Sequence, residues 1–470
     1  MQNITAEEIY HRVRNYMELA VKGQEFYLKT ERYWRKISDQ EFVRNIYGLF
    51  PEEQQAVLSD SRVREVVNRL RNTPVLQTVF VEEESDYFLN LKNGVYDLKT
   101  EKLLKEAKNM KFKYVLDFNY CKASIEKAPA FKKFVEDVFG EAVEEKQQLL
   151  LEVLGYCLSD FTMAKAGFFF IGASNSGKST LFELLRKILP TESVTSIPLQ
   201  RLGNKFSLAR LDGVRVNICS ELAEDSLKQL DIFKMLTSSE MITAEHKGKS
   251  PFEFQMKCKS LNAGNFLPEL KMVEGMDAIL NRMIILLFPI SVVREKQNLN
   301  LLTDLWQERD IIFSLAVDAL VRLYKNDFIF TEPTDTKELK EQLWANSHIF
   351  EEFIKQCCVR DVKGKVHNVT LYEAFIKYCT ENLCDVRITQ SQFTQKLYRL
   401  SGVKRGRFRL CGSKALRGVE GLRLKERNEY YVCQDSEVSD KKDSFNIREQ
   451  QKKEEKTKSV HWYGGTEKEI

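Results

Sequence analysis

The sequence predicts an α/β protein: a mainly parallel sheet in the middle, a helical N-terminal region before it and a smaller basic domain after it. Three observations predict this. A glycine-rich stretch, Gly172-Ala173-Ser174-Asn175-Ser176-Gly177-Lys178-Ser179-Thr180, joins an apolar run to a helical pattern. From about residue 162 to 293, short apolar runs alternate with helical stretches, as they do when helices cover a parallel sheet. Beyond residue 390, cations accumulate around Gly-punctuated short runs. With 470 residues the chain has room for two to four domains and a large core.

In chain order, residues 1–80 read as a helical N-terminal region. Ile9, Val13, Met17 and Ala20 recur at helix spacing, as do Val63, Val66, Val67 and Leu70, and Thr73-Pro74 ends the region. Residues 81–160 read as a hairpin followed by helices. The hairpin runs from Tyr87 to Leu98, and Asn93-Gly94 supplies the two positive φ angles of a type I′ turn. Phe131, Phe134, Val135, Val138 and Phe139, then Leu149 to Leu158, mark the helices.

Residues 161–330 hold the predicted sheet, with strands at Ala166–Ile171, Val214–Cys219 and Met283–Phe288 and a helical stretch from Leu301 to Tyr324. Phe330 to Asp335 reads as a linker. Residues 337–433 form a small domain with helices at Lys337–Cys358, Leu371–Cys384 and Gln390–Ser401. From Gln434 to the end, Lys, Glu, Gln and Ser dominate, the composition of a disordered charged tail.

Composition excludes several classes. No apolar run reaches the roughly 18 residues of a membrane span. The N-terminus reads as an acidic helix start and not a signal peptide. The ten cysteines never form C-x-x-C, which points to free thiols in a reducing cytoplasm. Net charge is only +4, so a nucleic-acid surface has to be a local patch.

The glycine-rich stretch has the G-x-x-x-x-G-K-[ST] form, and its chemistry is specific. Glycines let backbone amides turn inward around phosphate oxygens, and the positive end of the next helix faces the same anion. Lys178 then reaches the β- and γ-phosphates of ATP, and Ser179 holds Mg²⁺. The alternative is a chance match in a Gly-Ser turn. Three later features bear on what the nucleotide does. The alternating strand Val214 to Ser220 ends on Glu221, where a carboxylate can activate water and steer Mg²⁺; otherwise it is a solvent-facing acid. A strand from Lys259 ends on Asn265, placed to hold the attacking water; Asn is also a common turn residue. Arg282 precedes an apolar strand, where it can reach a nucleotide on a neighbouring subunit or sit in a surface ion pair.

In order and spacing these motifs resemble the superfamily 3 helicases, and most closely the phage, plasmid and poxvirus-type primase-helicase family, which includes replication proteins of mobile elements. The resemblance spans about residues 30 to 430. Lys92 to Leu98 looks like the family's hairpin, Ser220-Glu221-Leu222 like its Walker B end, Ala263-Gly264-Asn265-Phe266-Leu267-Pro268 like its sensor motif, and Arg282 like its arginine finger. It implies an AAA+-like ATPase core, a ring of identical subunits, six in the family's usual assembly, and a pore hairpin at Ile242 to Phe252 whose His246, Lys247 and Lys249 grip single-stranded DNA. The chain departs from the family pattern at Glu240, Gly264 and Asn281, and through Lys257, Lys259 and Ser260 in the sensor strand.

The C-terminal cations stand apart from this resemblance. Lys396, Arg399, Lys404, Arg405, Arg407, Arg409, Lys414, Arg417, Arg423, Lys425 and Arg427 meet only Glu420 and Glu426, with Tyr398 and Phe408 among them. A helix followed by short Gly-punctuated strands suggests a winged helix-turn-helix on duplex DNA, or else a solvated basic face. No paired carboxylates or zinc-ribbon cysteines of a priming domain are found, so a separate primase is expected. The expectation is a cytoplasmic ATP-dependent helicase and replication initiator. A helicase loader or origin-binding switch, and a small-molecule kinase, are the alternatives.

Overall fold

The computed structural model describes residues 4–105, 109–222, 230–248, 250–267, 276–382, 389–410 and 415–425. Lys249, Pro268, Cys384, Lys414, Arg427 and the tail 434–470 lie outside the described residues. The chain divides into two units, Met1–Lys271 with Asn281–Lys337, and Met272–Leu280 with Glu338–Ile470.

The first unit opens with the helix Ala6–Tyr16, started by a capping box in which Thr5 and Glu8 satisfy each other's backbone amides. The chain then departs from the all-helical expectation. Met17 is extended, and β1 (Leu19–Lys22), β2 (Glu25–Lys29) and β3 (Trp34–Ile37) form an antiparallel sheet. Gly23, at φ 58°, turns the chain between two β-prone runs, Leu19-Ala20-Val21 and Phe26-Tyr27-Leu28, and that turn outweighs the helical spacing of Met17 and Ala20. The helices Asp39–Gly48 and Asp60–Arg71 close over this sheet, burying Val21, Phe26, Phe42, Ile46, Val63 and Leu70 in one cluster.

A second antiparallel sheet follows, β4 (Phe88–Leu91), β5 (Gly94–Asp97) and β6 (Lys102–Leu104). The predicted hairpin is present but its turn is shifted by one residue. Leu91 pairs with Gly94, so Lys92 and Asn93 form the loop, and neither has a positive φ. Gly94 is needed for another reason: a Cβ there would lie 2.6 Å from the Leu104 carbonyl of β6. Asn93 is spent on Tyr120, donating to its carbonyl at 2.8 Å and accepting from its amide at 3.0 Å.

The central sheet is built from β7 (Gly167–Gly172), β8 (Val194–Thr195), β9 (Val216–Cys219), β12 (Lys259–Gly264) and β13 (Met283–Phe288). Between β9 and β12 the chain forms a separate hairpin, β10 (Met241–Ala244) with β11 (Phe252–Gln255). All five strands of the central sheet are parallel, in the order β13-β7-β12-β9-β8. Every residue of β7 is buried, as a strand covered on both faces requires, and Phe168, Phe169 and Phe170 contribute about 1.5–3 kcal/mol each by leaving water.

Residues 81–160 do not pack separately from this sheet. One core runs from Val81 through Phe131, Leu150, Phe168 and Phe288 to Phe330. The helix Val143–Leu158 packs on the helix Arg309–Lys325 so closely that a Cβ on Gly155 would lie 2.1 Å from the Ala316 carbonyl. The expected linker is fastened too. Phe330 is buried, Thr331 bonds Glu152 through its amide at 2.8 Å and its hydroxyl at 3.0 Å, Thr334 bonds Glu145, and Asp335 pairs with buried Lys146 at 2.6 Å. Charged side chains on a helix that sequence reading treats as apolar hold the segment that it treats as loose.

The second unit contains β14 (Cys358–His367), the helices Asn368–Glu381 and Gln390–Arg399, β15 (Lys404–Phe408) and β16 (Leu416–Leu424). The antiparallel order is β14-β16-β15. Phe350, Phe353, Phe375, Phe393, Leu397 and Val419 share its core. β14 is masked in the sequence by the charges of Arg360, Asp361, Lys363 and Lys365, and its pairing with β16 shifts register between Asp361 and Lys365. No described helix is long and apolar enough to cross a membrane.

Gly155→Ala is expected to destabilise the chain by about 1–3 kcal/mol, because the two helices have no room for a methyl group. Chemical denaturation monitored by circular dichroism measures it.

Candidate nucleotide site and basic surfaces

The glycine-rich loop begins where β7 runs out. Gly172 has φ 147° and a Cβ there would lie 2.0 Å from the Phe288 carbonyl; Gly177 has φ 78° and its Cβ would lie 2.3 Å from the Phe134 ring. Both positions exclude a side chain on contact as well as on backbone conformation. The helix Lys178–Ile188 starts directly after, and its first bond to the loop is Leu181 N–H to the Gly177 carbonyl at 3.1 Å. The amides of Lys178, Ser179 and Thr180 therefore precede the helical ladder at its positive end. Ser179 is exposed and Ser176 buried. Lys178 donates to the carbonyls of Gly172 (2.9 Å) and Ala173 (2.5 Å) and to Ser176 Oγ (2.9 Å). Burial holds its pKa below the usual lysine value. The loop is thus a ring of backbone around one cation, with an unladdered helix start beside it.

Strand order brings Glu221 and Asn265 to the same edge of the sheet. β12 lies between β7 and β9, with Gly264 opposite Ile171 and Asn262 opposite Cys219. Asn265 therefore emerges level with the start of the loop, and Glu221 two residues beyond Cys219 on the next strand; both are exposed. Just past Glu221, Leu222 N–H bonds the Ala263 carbonyl of β12 at 2.7 Å. A Cβ at Gly264, where the chain departs from the family pattern, would lie 3.1 Å from Leu222 Cβ, so the close approach of Leu222 favours glycine there.

Arg282 is at the opposite end. It precedes β13, and its carbonyl accepts from Gly167 N–H, the first residue of β7, at 2.8 Å. Six residues of strand, about 20 Å, separate that end from the loop. Within one chain the structure joins the loop, Glu221 and Asn265, and leaves Arg282 apart.

The cations in and before β12 and β9 also belong to the amino end of the sheet. Lys259 is buried and donates to the Ser159 carbonyl, and burial pulls its pKa to about 8. Arg215 donates to the Leu158 carbonyl at 2.8 Å and to Asp160 at 2.7 Å, with the Tyr114 ring 3.9 Å away. Both serve the C-terminus of the helix Val143–Leu158, whose last carbonyls attract cations. Lys257 pairs with Asp86 at 3.1 Å.

The β10–β11 hairpin is rooted at that same end: Ser239 Oγ bonds the Thr162 carbonyl, just ahead of β7, at 3.1 Å. Near its tip His246 and Lys247 are exposed, and Gly248, at φ 76°, makes the turn. His246 stacks on Phe252 with centroids 5.0 Å apart. Sequence reading missed a neighbour. Lys205 pairs with Glu245 and its carbonyl accepts from the Glu245 amide at 3.4 Å, which brings exposed Lys205 and Phe206 to the hairpin. They lie 40 residues from it in sequence, and only the exposed aromatic beside a lysine marks them.

In the second unit the predicted cations divide. Arg399, Lys404, Arg405, Arg407 and Arg409 are exposed. Arg405 lies 4.4 Å from the Tyr398 ring, which turns its face of β15 toward the helix Gln390–Arg399. Arg407 stands directly opposite Arg417 across β15–β16, and two exposed like charges so placed repel unless an anion joins them. Lys396 is different. It is half-buried over the Phe350 ring at 5.2 Å, 3.9 Å from Glu351, and burial lowers its pKa, so it serves the interior of this unit. Arg423 pairs with Asp361 at 3.4 Å.

Comparison with known proteins gives two family matches. Residues 6–140 match the family described as D5 N terminal like, and are thereby similar to the N-terminal part of phage and plasmid primase-helicases. Residues 170–282, from the loop to Arg282, match a family of unknown function, DUF5906. No curated protein matches. Among solved structures, the A form apo structure of the NrS-1 C terminal region is 12% identical with a TM-score of 0.46, covering 89% of this chain and all (100%) of that one. The apo structure of the NrS-1 C terminal region (305-718) is 14% identical, with the same score and coverage. A TM-score of 0.46 marks a loose likeness in the course of the chain.

Proposed function

We propose that the protein is an ATP-dependent DNA helicase and replication initiator of a mobile element, working as a ring of identical subunits. One observation carries the reading: β12 is inserted between the loop strand and the strand of Glu221, so that a phosphate loop, a carboxylate and an amide share one sheet edge. The strand order β13-β7-β12-β9-β8 supports an AAA+-like core. The D5 N terminal like match over residues 6–140 supports the replication context.

The residues fit a nucleoside triphosphate. Lys178 and the amides from Ser174 to Thr180 hold its phosphates. Ser179, with Glu221, would hold Mg²⁺, which when bound neutralises phosphate charge. Glu221 takes the proton of the attacking water and Asn265 orients that water. Arg282, at the far end of β13, serves the site of the next subunit, because its own loop is out of reach. His246 and Lys247, joined by Lys205 and Phe206, contact single-stranded DNA in the pore; the exposed aromatic offers a base-stacking face beside the cations. In the second unit the helix Gln390–Arg399 and the β15–β16 hairpin form a winged helix for duplex DNA, using Arg399, Lys404, Arg405, Arg407, Arg409 and Arg417.

Glu221→Gln and Arg282→Ala are each expected to lower ATP hydrolysis by about 10³-fold or more, and an equal mixture of the two to regain activity through shared interfaces. Assays of hydrolysis and strand displacement, with and without single-stranded DNA, read this. A wild-type chain that hydrolyses ATP on DNA without displacing a strand supports an origin-binding switch instead.

Gly177→Ala is expected to weaken binding of a fluorescent ATP analogue by more than about tenfold, and Phe134→Ala in the same chain to restore part of it by relieving the ring contact. In salt titrations of duplex binding, Arg407→Ala should lower the slope by about one charge, while Lys396→Ala leaves the slope unchanged and lowers the unfolding temperature.

A further inference from the structure

The loop's outer half is held by a segment more than a hundred residues downstream. Phe288, the last residue of β13, pairs with Gly172, and the ladder continues past it. Ala173 N–H bonds the Phe288 carbonyl at 3.0 Å, Ser291 Oγ donates to the Ser174 carbonyl at 2.8 Å, and Val292 N–H bonds the Asn175 carbonyl at 3.3 Å. Three successive loop residues are thus bonded to residues 288–292. Asn175 stands at φ 59°, a left-handed backbone that asparagine tolerates better than most residues, and its carbonyl is fixed there by the Val292 bond. The brace is itself seated. A Cβ on Gly140 would lie 3.1 Å from Ile290, at the end of the helix Pro129–Phe139 whose Phe134 underlies Gly177. One helix therefore supports both halves of the loop, directly at Gly177 and through the brace at Ser174 and Asn175.

Of these bonds only that of Ser291 comes from a side chain, so sequence can tune it. Turning the Ser174 carbonyl outward leaves the amides that follow it facing the loop's interior. We propose that Ser291 is a positioning residue of the nucleotide site, fixing the tip of the loop so that its amides converge on phosphate. This rests on the nucleotide-hydrolase reading above. It also makes β13 a two-ended element, with Arg282 at one end and the loop brace at the other.

The test is equilibrium binding of a fluorescent ADP analogue to the full chain, with steady-state ATP hydrolysis alongside. Ser291→Ala is expected to raise both Kd and KM about three- to tenfold. Its kcat should stay within about twofold of wild type, and its nucleotide-free unfolding temperature should shift by no more than about 1 °C. Ser291→Thr, which keeps the hydroxyl, should restore affinity. Wild-type Kd and KM in Ser291→Ala overturn the proposal. So does a joint fall of kcat, affinity and unfolding temperature that Ser291→Thr does not rescue, because that is the signature of a purely structural contact. If the wild-type chain binds no nucleotide, the nucleotide reading itself fails and this inference falls with it.

Discussion

Parallel hydrogen bonding of β7 to β12 on one side and β13 on the other is the constraint on which the rest depends. A parallel strand paired on both sides and covered on both faces presents polar groups to solvent only at its ends, and polar side chains within it, such as Asn262, bond the neighbouring backbone. The carboxyl ends of β7, β12 and β9 therefore collect the loop, Asn265 and Glu221, while the amino ends collect Arg282, Arg215 and Lys259. The apolar middle, from Phe168 to Ile171 and from Met283 to Phe288, keeps the two sets apart. Arg282, at the amino end, is too far to reach the loop of its own chain.

The same geometry accounts for the polar residues of the interior. A helix ending beneath the sheet leaves carbonyls that need donors, and Arg215 and Lys259 supply them at Leu158 and Ser159. Glu145, Lys146 and Glu152, earlier on that helix, fasten the segment from Phe330 to Asp335. Burying charge is costly unless it is bonded, and the buried members, Arg215, Lys259, Lys146 and Glu152, each have a hydrogen-bond or ion-pair partner. The helix Val143–Leu158 is therefore both a wall of the core and the anchor of the strand ends.

Much of the fold was legible in the sequence. The loop, three of the central strands and the helices of the basic domain were placed by periodicity and by glycine spacing, signals that act within a few residues. Signals that act over distance were read wrongly or not at all. Asn93-Gly94 looked like a type I′ turn, but Gly94 is set by the approach of β6 and Asn93 by Tyr120. Residues 1–80 read as helical, and the spacing of Met17 and Ala20 gave way to the turn at Gly23 and the strands on either side of it. Phe330 to Asp335 had the composition of a linker, and its partners lie about 180 residues upstream.

By itself the sequence determined the chemistry available: a glycine-rich loop ending in Lys178 and Ser179, an acid and an amide at strand ends, and a cluster of cations beyond residue 390. It did so because those features depend on residue type and local spacing. Only the tertiary structure decided which of them meet. Strand order put Asn265 between the loop and Glu221, sent Arg282 to the other end, and brought Lys205 and Phe206 to the hairpin of His246. Packing took Lys396 inward beside Phe350 and set Arg407 against Arg417. The order of strands in a sheet and the register between them follow from how distant apolar faces pack, and no local pattern encodes that.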